Sequence, residues 1–363
     1  GTASDGHNYI TAAIDRGAVA IVCERMPEVQ NEGVAYILVE DSNIAMAAMA
    51  AAYYDHPSEE LRLVGVTGTN GKTTTATLLY DMTMAMGYRA GLISTVVYRI
   101  GEERIPSTHT TPDAIRLNAM MRRMVDSGCD YCFMEVSSHS IVQRRIGGLH
   151  FAGALFSNIT HDHLDYHKTF AEYIRAKKMF FDELPRDAFA LVNIDDRNGE
   201  VMLQNCAAKG YRLSLRSMAD YRTKIVELHP DGMLLVIDNQ EVWVKFTGRF
   251  NAYNLLVVYA AARELGLEQG EYVLTNVWNG EQHTVTDSFT AKVNKHGSLL
   301  FAVTKAGDFK LYDANVRINA AKLDGNVMTL DVDYDAVVDF YMQILEKEGL
   351  KPRTAADLAC GTG

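Results

Sequence analysis

Between residues 61 and 193, short apolar runs recur, each closed by a loop and followed by a helical pattern. Leu63-Val64-Gly65-Val66, Ala90-Gly91-Leu92-Ile93-Ser94, Tyr131-Cys132-Phe133-Met134, Ala154-Leu155-Phe156-Ser157 and Phe189-Ala190-Leu191-Val192-Asn193 are continuous rather than alternating. Strands buried on both faces read this way. Because helical stretches separate them, the pattern predicts an α/β body: a P-loop-type, mostly parallel central sheet with helices on both faces. Ligands on such sheets sit at the carboxyl ends of strands.

The flanks read differently. Residues 1–60 predict a small α/β piece: a buried strand over Gly17–Val22 after an Ala-rich helix, a second strand over Ala35–Val39, and a helix over 45–54. Pro57-Ser58-Glu59-Glu60 marks a boundary. After about Gly270, Thr284 to Val303 alternates like β-hairpins; a helix over 336–349 and an apolar strand over 355–360 follow. The expected division is 1–60, 61–269, a β-hairpin-rich 270–305, and 306–363.

Composition narrows the function classes. At about 150 residues per domain, 363 residues make two or three domains. Hydrophobic residues at 48% and charged residues at 22% supply a real core and exclude bulk disorder. The net charge of −11 argues against the whole chain binding nucleic acid or an anionic membrane, so an anionic ligand must be held by local groups. Five cysteines, an odd count, make no disulfide framework and point to a reducing, cytoplasmic setting. No apolar run approaches the roughly 20 residues of a membrane helix. Gly1 lies in polar sequence with no signal-peptide pattern and no initiating methionine, so the chain reads as cut at its front.

Gly68-Thr69-Asn70-Gly71-Lys72-Thr73-Thr74 follows a predicted strand and opens a predicted helix. Backbone N–H groups of such a loop, with the helix N-terminus, cradle phosphate oxygens. Lys72 supplies charge near the outer phosphates, and the Thr73 hydroxyl can ligate Mg²⁺. The strict phosphate-loop pattern wants glycine where Val66 stands, which leaves a plain Gly-rich turn as the competing reading. Glu135 ends the strand over 131–134; alone it is a strand-end carboxylate, but beside a phosphate loop it reads as a Mg²⁺ ligand. Residues 158–167 carry three histidines and two aspartates. Zinc is one reading, but no completing Cys or His is evident, and a Mg-ATP site takes oxygen ligands with at most an occasional imidazole.

Phe170, Tyr173, Ile174 and Lys177 share one helical stripe, which turns Lys177 inward and Lys178 away. An inward lysine is costly unless paired or chemically altered; the competing reading is a snorkelling lysine at the end of a core stripe. Thr110-Thr111-Pro112, Ser137-Ser138-His139 and Gln143-Arg144-Arg145 suit a phosphorylated or carboxylated sugar, although each alone is ordinary loop chemistry. Cys129 and Cys132 have redox or metal spacing but read as core filler.

These motifs in this order resemble the Mur ligases, and within them the UDP-N-acetylmuramoyl-tripeptide synthetase type. The matching text is 1–7, GVTGTNGKTTT at 65–75, STHTTP at 107–112, EVSSHS at 135–140, NITHDHLDYH at 158–167, AKKMFF at 176–181, NIDD at 193–196 and GRFNAYN at 248–254. The resemblance covers about residues 1–269. It implies ATP on the 68–74 loop and Mg²⁺ held with help from Thr73, Glu135 and His163. Lys177 matches the family's carbamylated lysine, whose carbamate faces a second Mg²⁺. Asp195, Asn251 and Asn254 match nucleotide-side positions. Thr110, Thr111, Ser137, Gln143 and Arg145 match the site for a UDP-N-acetylmuramoyl dipeptide, with Thr2, Ala3 and Ser4 at the uridine end of a partial UDP-binding domain over 1–60. His109 stands where the family often has another polar residue.

The implied reaction is ATP-dependent amide formation in peptidoglycan precursor synthesis. A D-glutamate carboxylate attacks the γ-phosphate to give an acyl phosphate, and an amino group of meso-diaminopimelate or L-lysine then displaces phosphate. Lys72, Glu135, His163 and Lys177 are the implied catalytic set, in a monomer. The family's third domain is not legible after residue 269. Residues 277–301 look instead like a hydrolase β-domain fragment, and 331–363, ending in Ala359-Cys360-Gly361-Thr362-Gly363, resemble the start of a class I methyltransferase. The expectation is a Mur ligase body joined to unrelated pieces, with impaired turnover. The alternatives are a non-catalytic chimeric chain that at most binds ATP, and a folylpolyglutamate synthase-like ligase.

Overall fold

The computed structural model describes residues 5–160, 169–267, 272–276, 281–285, 301–305, 318–324 and 327–332. The chain divides into two compact units, Gly1–Leu267 and Glu268–Gly363.

The first unit opens with a 3-10 turn over Gly6–Tyr9 and helix α1 (Ile10–Asp15), followed by strands β1 (Ala20–Cys23) and β2 (Ala35–Leu38), paired in parallel, and helix α2 (Ser42–Tyr53). The expected strand over 17–22 is displaced toward the C-terminus, because Gly17 takes φ +96° in the preceding turn. Nor is this pair wholly buried: Ala20, Ile37 and Leu38 are exposed. The presumed boundary at 57–60 is one helical turn, α3 (Pro57–Glu60), with Pro57 and Ser58 buried. The Ser58 hydroxyl accepts the N–H of His150 at 2.9 Å.

The body then builds β3 (Arg62–Thr67), α4 (Lys72–Ala85), β4 (Ala90–Ile93), β5 (Val97–Ile100), β6 (Glu103–Pro106), α5 (Ala114–Asp126), β7 (Tyr131–Glu135), α6 (Ser138–Val142), β8 (Gly153–Phe156), α7 (Phe170–Asp182), β9 (Phe189–Asn193), α8 (Gly199–Leu203), β10 (Lys209–Ser214), β11 (Tyr221–His229), β12 (Gly232–Ile237), β13 (Gln240–Val244) and α9 (Arg249–Glu264). Among the described residues these strands form one sheet in the order β13-β12-β11-β10-β9-β8-β3-β7-β4-β5-β6. From β11 to β4 neighbouring strands run parallel; β5 and β6 at one end and β12 and β13 at the other are antiparallel.

The five apolar runs are the five central strands, and each is buried along almost its whole length. Alternate residues feed two cores. Leu63, Cys132, Met134 and Phe156 pack with Leu117, Met121 and Phe180 on one face. Val64, Val66, Phe133 and Leu155 pack with Leu79 and Leu256 on the other. Each such side chain stabilises by roughly 1.5–3 kcal/mol, so two-sided burial rather than strand propensity holds these segments. Cys129 and Cys132 are buried core filler, and the four described cysteines are free.

In the second unit, β14 (Tyr272–Asn276) pairs antiparallel with both β15 (Gln282–Val285) and β16 (Phe301–Lys305), and β17 (Ile318–Asp324) pairs antiparallel with β18 (Val327–Val332). Most of the stretch 284–303 read as β-hairpins lies outside the described residues; of its ends, β15 and β16 both flank β14. The helix and strand expected over 336–349 and 355–360 lie outside the described residues. So do most of the stretches likened to a hydrolase β-domain and a methyltransferase.

Candidate active site

Two neighbouring strands place the first functional side chains. β3 and β7 run in parallel register, Val66 beside Glu135, so the loop leaving β3 and the end of β7 open at the same edge. The loop turns at once. Gly68 has φ +145°, and a Cβ there would lie 2.0 Å from Ser157 Oγ; only glycine fits both demands. Gly71 has φ +90°, and its Cβ would meet Asn254 Oδ1 at 2.4 Å, so α9 presses against the loop. Val66 is a buried β3 residue, and the turn that the strict pattern assigns to its position is made by Gly68.

Asn158 braces the loop from the next strand over. Its backbone carbonyl accepts Thr69 N–H at 2.8 Å, and its side-chain carbonyl accepts Asn70 N–H at 3.0 Å. α4 begins at Lys72 with no side-chain cap from Gly71, and a helix N-terminus at a phosphate loop suits an anion. The Lys72 ammonium donates to the carbonyls of Gly68 (3.0 Å) and Thr69 (2.8 Å), held against the loop it serves.

Glu135 is 1% exposed. Its Oε1 accepts the Thr73 hydroxyl at 2.8 Å and the Thr95 N–H at 2.7 Å. A buried carboxyl so bonded is held in place, not a solvated strand end. Two hard oxygens, the Thr73 hydroxyl and a carboxylate, meeting at a phosphate loop fit Mg²⁺, which takes one or two protein oxygens and fills its octahedron with phosphate and water. No cluster of three or more His, Cys, Asp or Glu suited to a metal occurs among the described residues.

Lys177, also 1% exposed, lies on the buried stripe of α7 with Tyr173, Ala176 and Phe180. Its Nζ donates to Gly68 O at 2.9 Å and to Thr67 Oγ1 at 3.3 Å, and lies 4.7 Å from the Tyr173 ring centroid. The inward reading therefore holds, and the lysine's head sits beneath the loop. Lys178 does not face away: it is largely buried and bonds Asp182 and Gln204 O.

Beside the loop, a cavity of about 720 Å³ is lined by Gly71, Thr74, Asp195, Arg216, Tyr253 and Asn254, among others. Asn251 acts one step back, its Oδ1 accepting from Asn254 Nδ2 at 3.1 Å. Burial raises the Asp195 carboxyl, but hydrogen bonds from Ser214 (2.6 Å), Tyr253 (2.8 Å) and Leu215 N–H (2.8 Å) outweigh it and hold the group below the usual carboxylate range.

A second cavity, of about 480 Å³, is lined by Gln143, Arg145, His109 and Asp113 of the body and by Glu24 and Asn43 of the small α/β piece. Arg145 donates to Gln143 Oε1 and to Thr111 O. Thr110, Thr111 and Ser137 point back toward the phosphate loop rather than lining this cavity. Thr110 Oγ1 is 3.1 Å from Thr95 Oγ1, and the Thr111 hydroxyl donates to Glu135 O at 2.8 Å and lies 3.4 Å from Ser137 Oγ. Thr2, Ala3, Ser4 and His163 lie outside the described residues. Thr95, Asn158, Arg216, Tyr253 and Glu24 were not anticipated. Thr95 was within reach, because it follows directly on a predicted strand at the carboxyl edge.

This loop, carboxylate and buried lysine sit within the stretch, residues 66–262, that matches the family model for the Mur ligase middle domain. The chain belongs to the Mur ligase family. Among Mur ligase relatives, it is 57% identical over 274 residues to the UDP-N-acetylmuramoyl-L-alanyl-D-glutamate--2,6-diaminopimelate ligase of Phocaeicola vulgatus, covering 76% of this chain and 57% of that protein. It is 40% identical over 280 residues to the protein of the same name from Chlorobaculum tepidum, covering 74% and 55%. The chain thus spans about half the length of the curated relatives it matches. A solved structure of a ligase of that name aligns with TM-score 0.63 at 26% identity, covering 72% of this chain and 54% of the other. The MurF of Acinetobacter baumannii, at TM-score 0.52 and 21% identity over 73% and 55%, shares the fold.

Proposed function

We propose that residues 61–269 form the nucleotide-binding body of an ATP-dependent amide ligase of peptidoglycan precursor synthesis, working in the cytoplasm, with residues 1–60 as part of a UDP-binding domain. Its acceptor is UDP-N-acetylmuramoyl-L-alanyl-D-glutamate. The incoming amino acid is 2,6-diaminopimelate, named for the relatives, in preference to L-lysine. The observation that carries this reading is the Thr73–Glu135 contact of 2.8 Å at the mouth of the Gly68–Thr74 loop, with Lys177 Nζ 2.9 Å from Gly68 O.

The residues divide the work. The N-terminal turn of α4 and the Lys72 ammonium take up the charge of the outer phosphates. Thr73 and Glu135 would hold one Mg²⁺, and Lys177 as a carbamate would help hold a second with His163; bound there, the ions would supply positive charge to the phosphates. The D-glutamate carboxylate oxygen would displace ADP from the γ-phosphorus, giving the acyl phosphate. Asn254 and Asp195 orient the nucleoside from the 720 Å³ cavity, and Arg145 with Gln143 positions the acceptor from the 480 Å³ cavity. Holding both partners in place removes much of the entropic barrier to a two-substrate reaction.

The test is calorimetric. Lys72→Ala should weaken binding of Mg²⁺ with a non-hydrolysable ATP analogue at least about tenfold, as expected for loss of a charge-assisted contact. Unchanged binding would remove the nucleotide reading. A UDP-N-acetylmuramoyl dipeptide that fails to bind, while a folate polyglutamate does, would move the chain to another branch of the family.

A further inference from the structure

The cavity of about 480 Å³ takes its walls from both the small α/β piece and the body, and one wall residue, Glu24, has no part in the proposed division of work. Glu24 directly follows β1, and three hydrogen bonds fix it. Its N–H donates to His7 Nε2 at 3.2 Å, while its Oε1 accepts the Ser42 N–H at 2.9 Å and the Ser42 hydroxyl at 2.7 Å. The bond from the Ser42 backbone, and then that from its hydroxyl, hold the Glu24 carboxyl below its usual range, so near neutral pH it is an ionised group that only accepts. Its second oxygen, Oε2, accepts from no group among the described residues.

The rest of the lining says what kind of group comes to that oxygen. Arg145 is engaged with Gln143 Oε1 and Thr111 O, and Glu24 and Asp113 set two acidic side chains against that one guanidinium. Such a wall repels a diphosphate. Met46 and Val142 add apolar surface between the polar groups, a mixture that fits a ring with C–H faces and a few donors.

We infer that Glu24 is a specificity-determining residue for the acceptor: its Oε2 accepts a hydroxyl or N–H donor from the uncharged nucleoside or hexose of the UDP-sugar, and the diphosphate and peptide lie elsewhere. The inference rests on the proposed UDP-N-acetylmuramoyl acceptor. That ligand carries no cationic group, so hydroxyls and N–H groups are what it offers a carboxylate. Because His7 and Ser42 hold Glu24 in place before any ligand arrives, little side-chain freedom is lost on binding. Discrimination follows from the same geometry. An analogue without the donor would cover a charged oxygen and leave it unpartnered, which costs more than a contact merely missing.

Calorimetry on the full chain tests this with three ligands: UDP, UDP-N-acetylmuramic acid and UDP-N-acetylmuramoyl-L-alanyl-D-glutamate. Glu24→Gln keeps the shape. The Ser42 N–H and hydroxyl claim its one carbonyl oxygen, which puts an NH₂ donor where Oε2 stood. That variant should bind the dipeptide ligand at least about tenfold more weakly, the worth of a hydrogen bond to a charged group. Glu24→Ala should weaken it as well. A loss already present with UDP assigns the donor to the nucleoside, and a loss that first appears with UDP-N-acetylmuramic acid assigns it to the hexose. Glu24→Gln should melt with the wild type and bind Mg²⁺ with the ATP analogue equally well; loss of nucleotide binding too would show a structural role and overturn the inference. Unchanged affinity for the dipeptide ligand overturns it, and so does a loss confined to that ligand; either leaves the functional reading standing. A wild type that binds none of the three overturns both.

Discussion

Asp195 and Tyr253 show how one contact shifts two groups in opposite directions. Burial pushes the Tyr253 phenol up, and its bond to Asp195 carries it to about 12, while the same bond helps hold Asp195 low. A depressed carboxyl stabilises the fold fully above its unfolded value of about 3.9, and the contribution fades as pH falls through the folded value. A raised phenol stabilises below about 10 and loses that contribution as pH climbs through the folded value. Tyr253→Phe should therefore melt below the wild type at pH 7, and the gap should narrow as the pH falls below about 4. Thermal melts across that range check it, and a gap of constant size would show that the bond does not set the Asp195 titration. At this scale the sequence was informative where residue type and spacing dictate chemistry, as at Lys72, Thr73 and Lys177. It was silent at Arg216 and Tyr253, which are ordinary residues until the fold brings them to the cavity beside Asp195.

Helix α7 carries Lys177, and local sequence accounts for how it starts and which way it faces. Thr169 caps it, Oγ1 accepting Glu172 N–H at 3.2 Å, and Phe180 meets Phe151 edge-on at 4.8 Å on the buried face. Thr169→Ala should cost about 1 kcal/mol, the usual worth of such a cap. Because fraying is confined to the first turn and Lys177 lies two turns on, nucleotide affinity should stay as it was. Urea unfolding and calorimetry measured together check both halves of the statement. Other elements were less legible. The buried central strands are unbroken apolar runs, whereas β5, β6, β11 and β13 mix apolar with charged residues and are partly exposed. Such strands carry no periodic signature strong enough to separate them from loop.

Across the whole molecule, residues up to Leu267 form one compact unit that contains the phosphate loop and both cavities. The end of its last helix is fastened to its first central strand, since Arg62 donates to Leu265 O at 2.7 Å. A chain ending at Leu267 should therefore melt cooperatively and bind Mg²⁺ with the ATP analogue as well as the full chain does. Scanning calorimetry and titration of the shortened protein check this; loss of the transition would mean that the unit depends on residues 268–363 for its stability.

Sequence alone determined which segments are the five central buried strands, where the phosphate loop turns, and that Lys177 faces inward, because each is set by side-chain type and period within a few residues. Tertiary structure decided the strand order, which sets β7 and β4 side by side and so brings Thr73, Glu135, Thr95 and Thr110 within bonding distance. Hydrogen bonds between residues tens of positions apart depend on register and packing, and no local pattern encodes those.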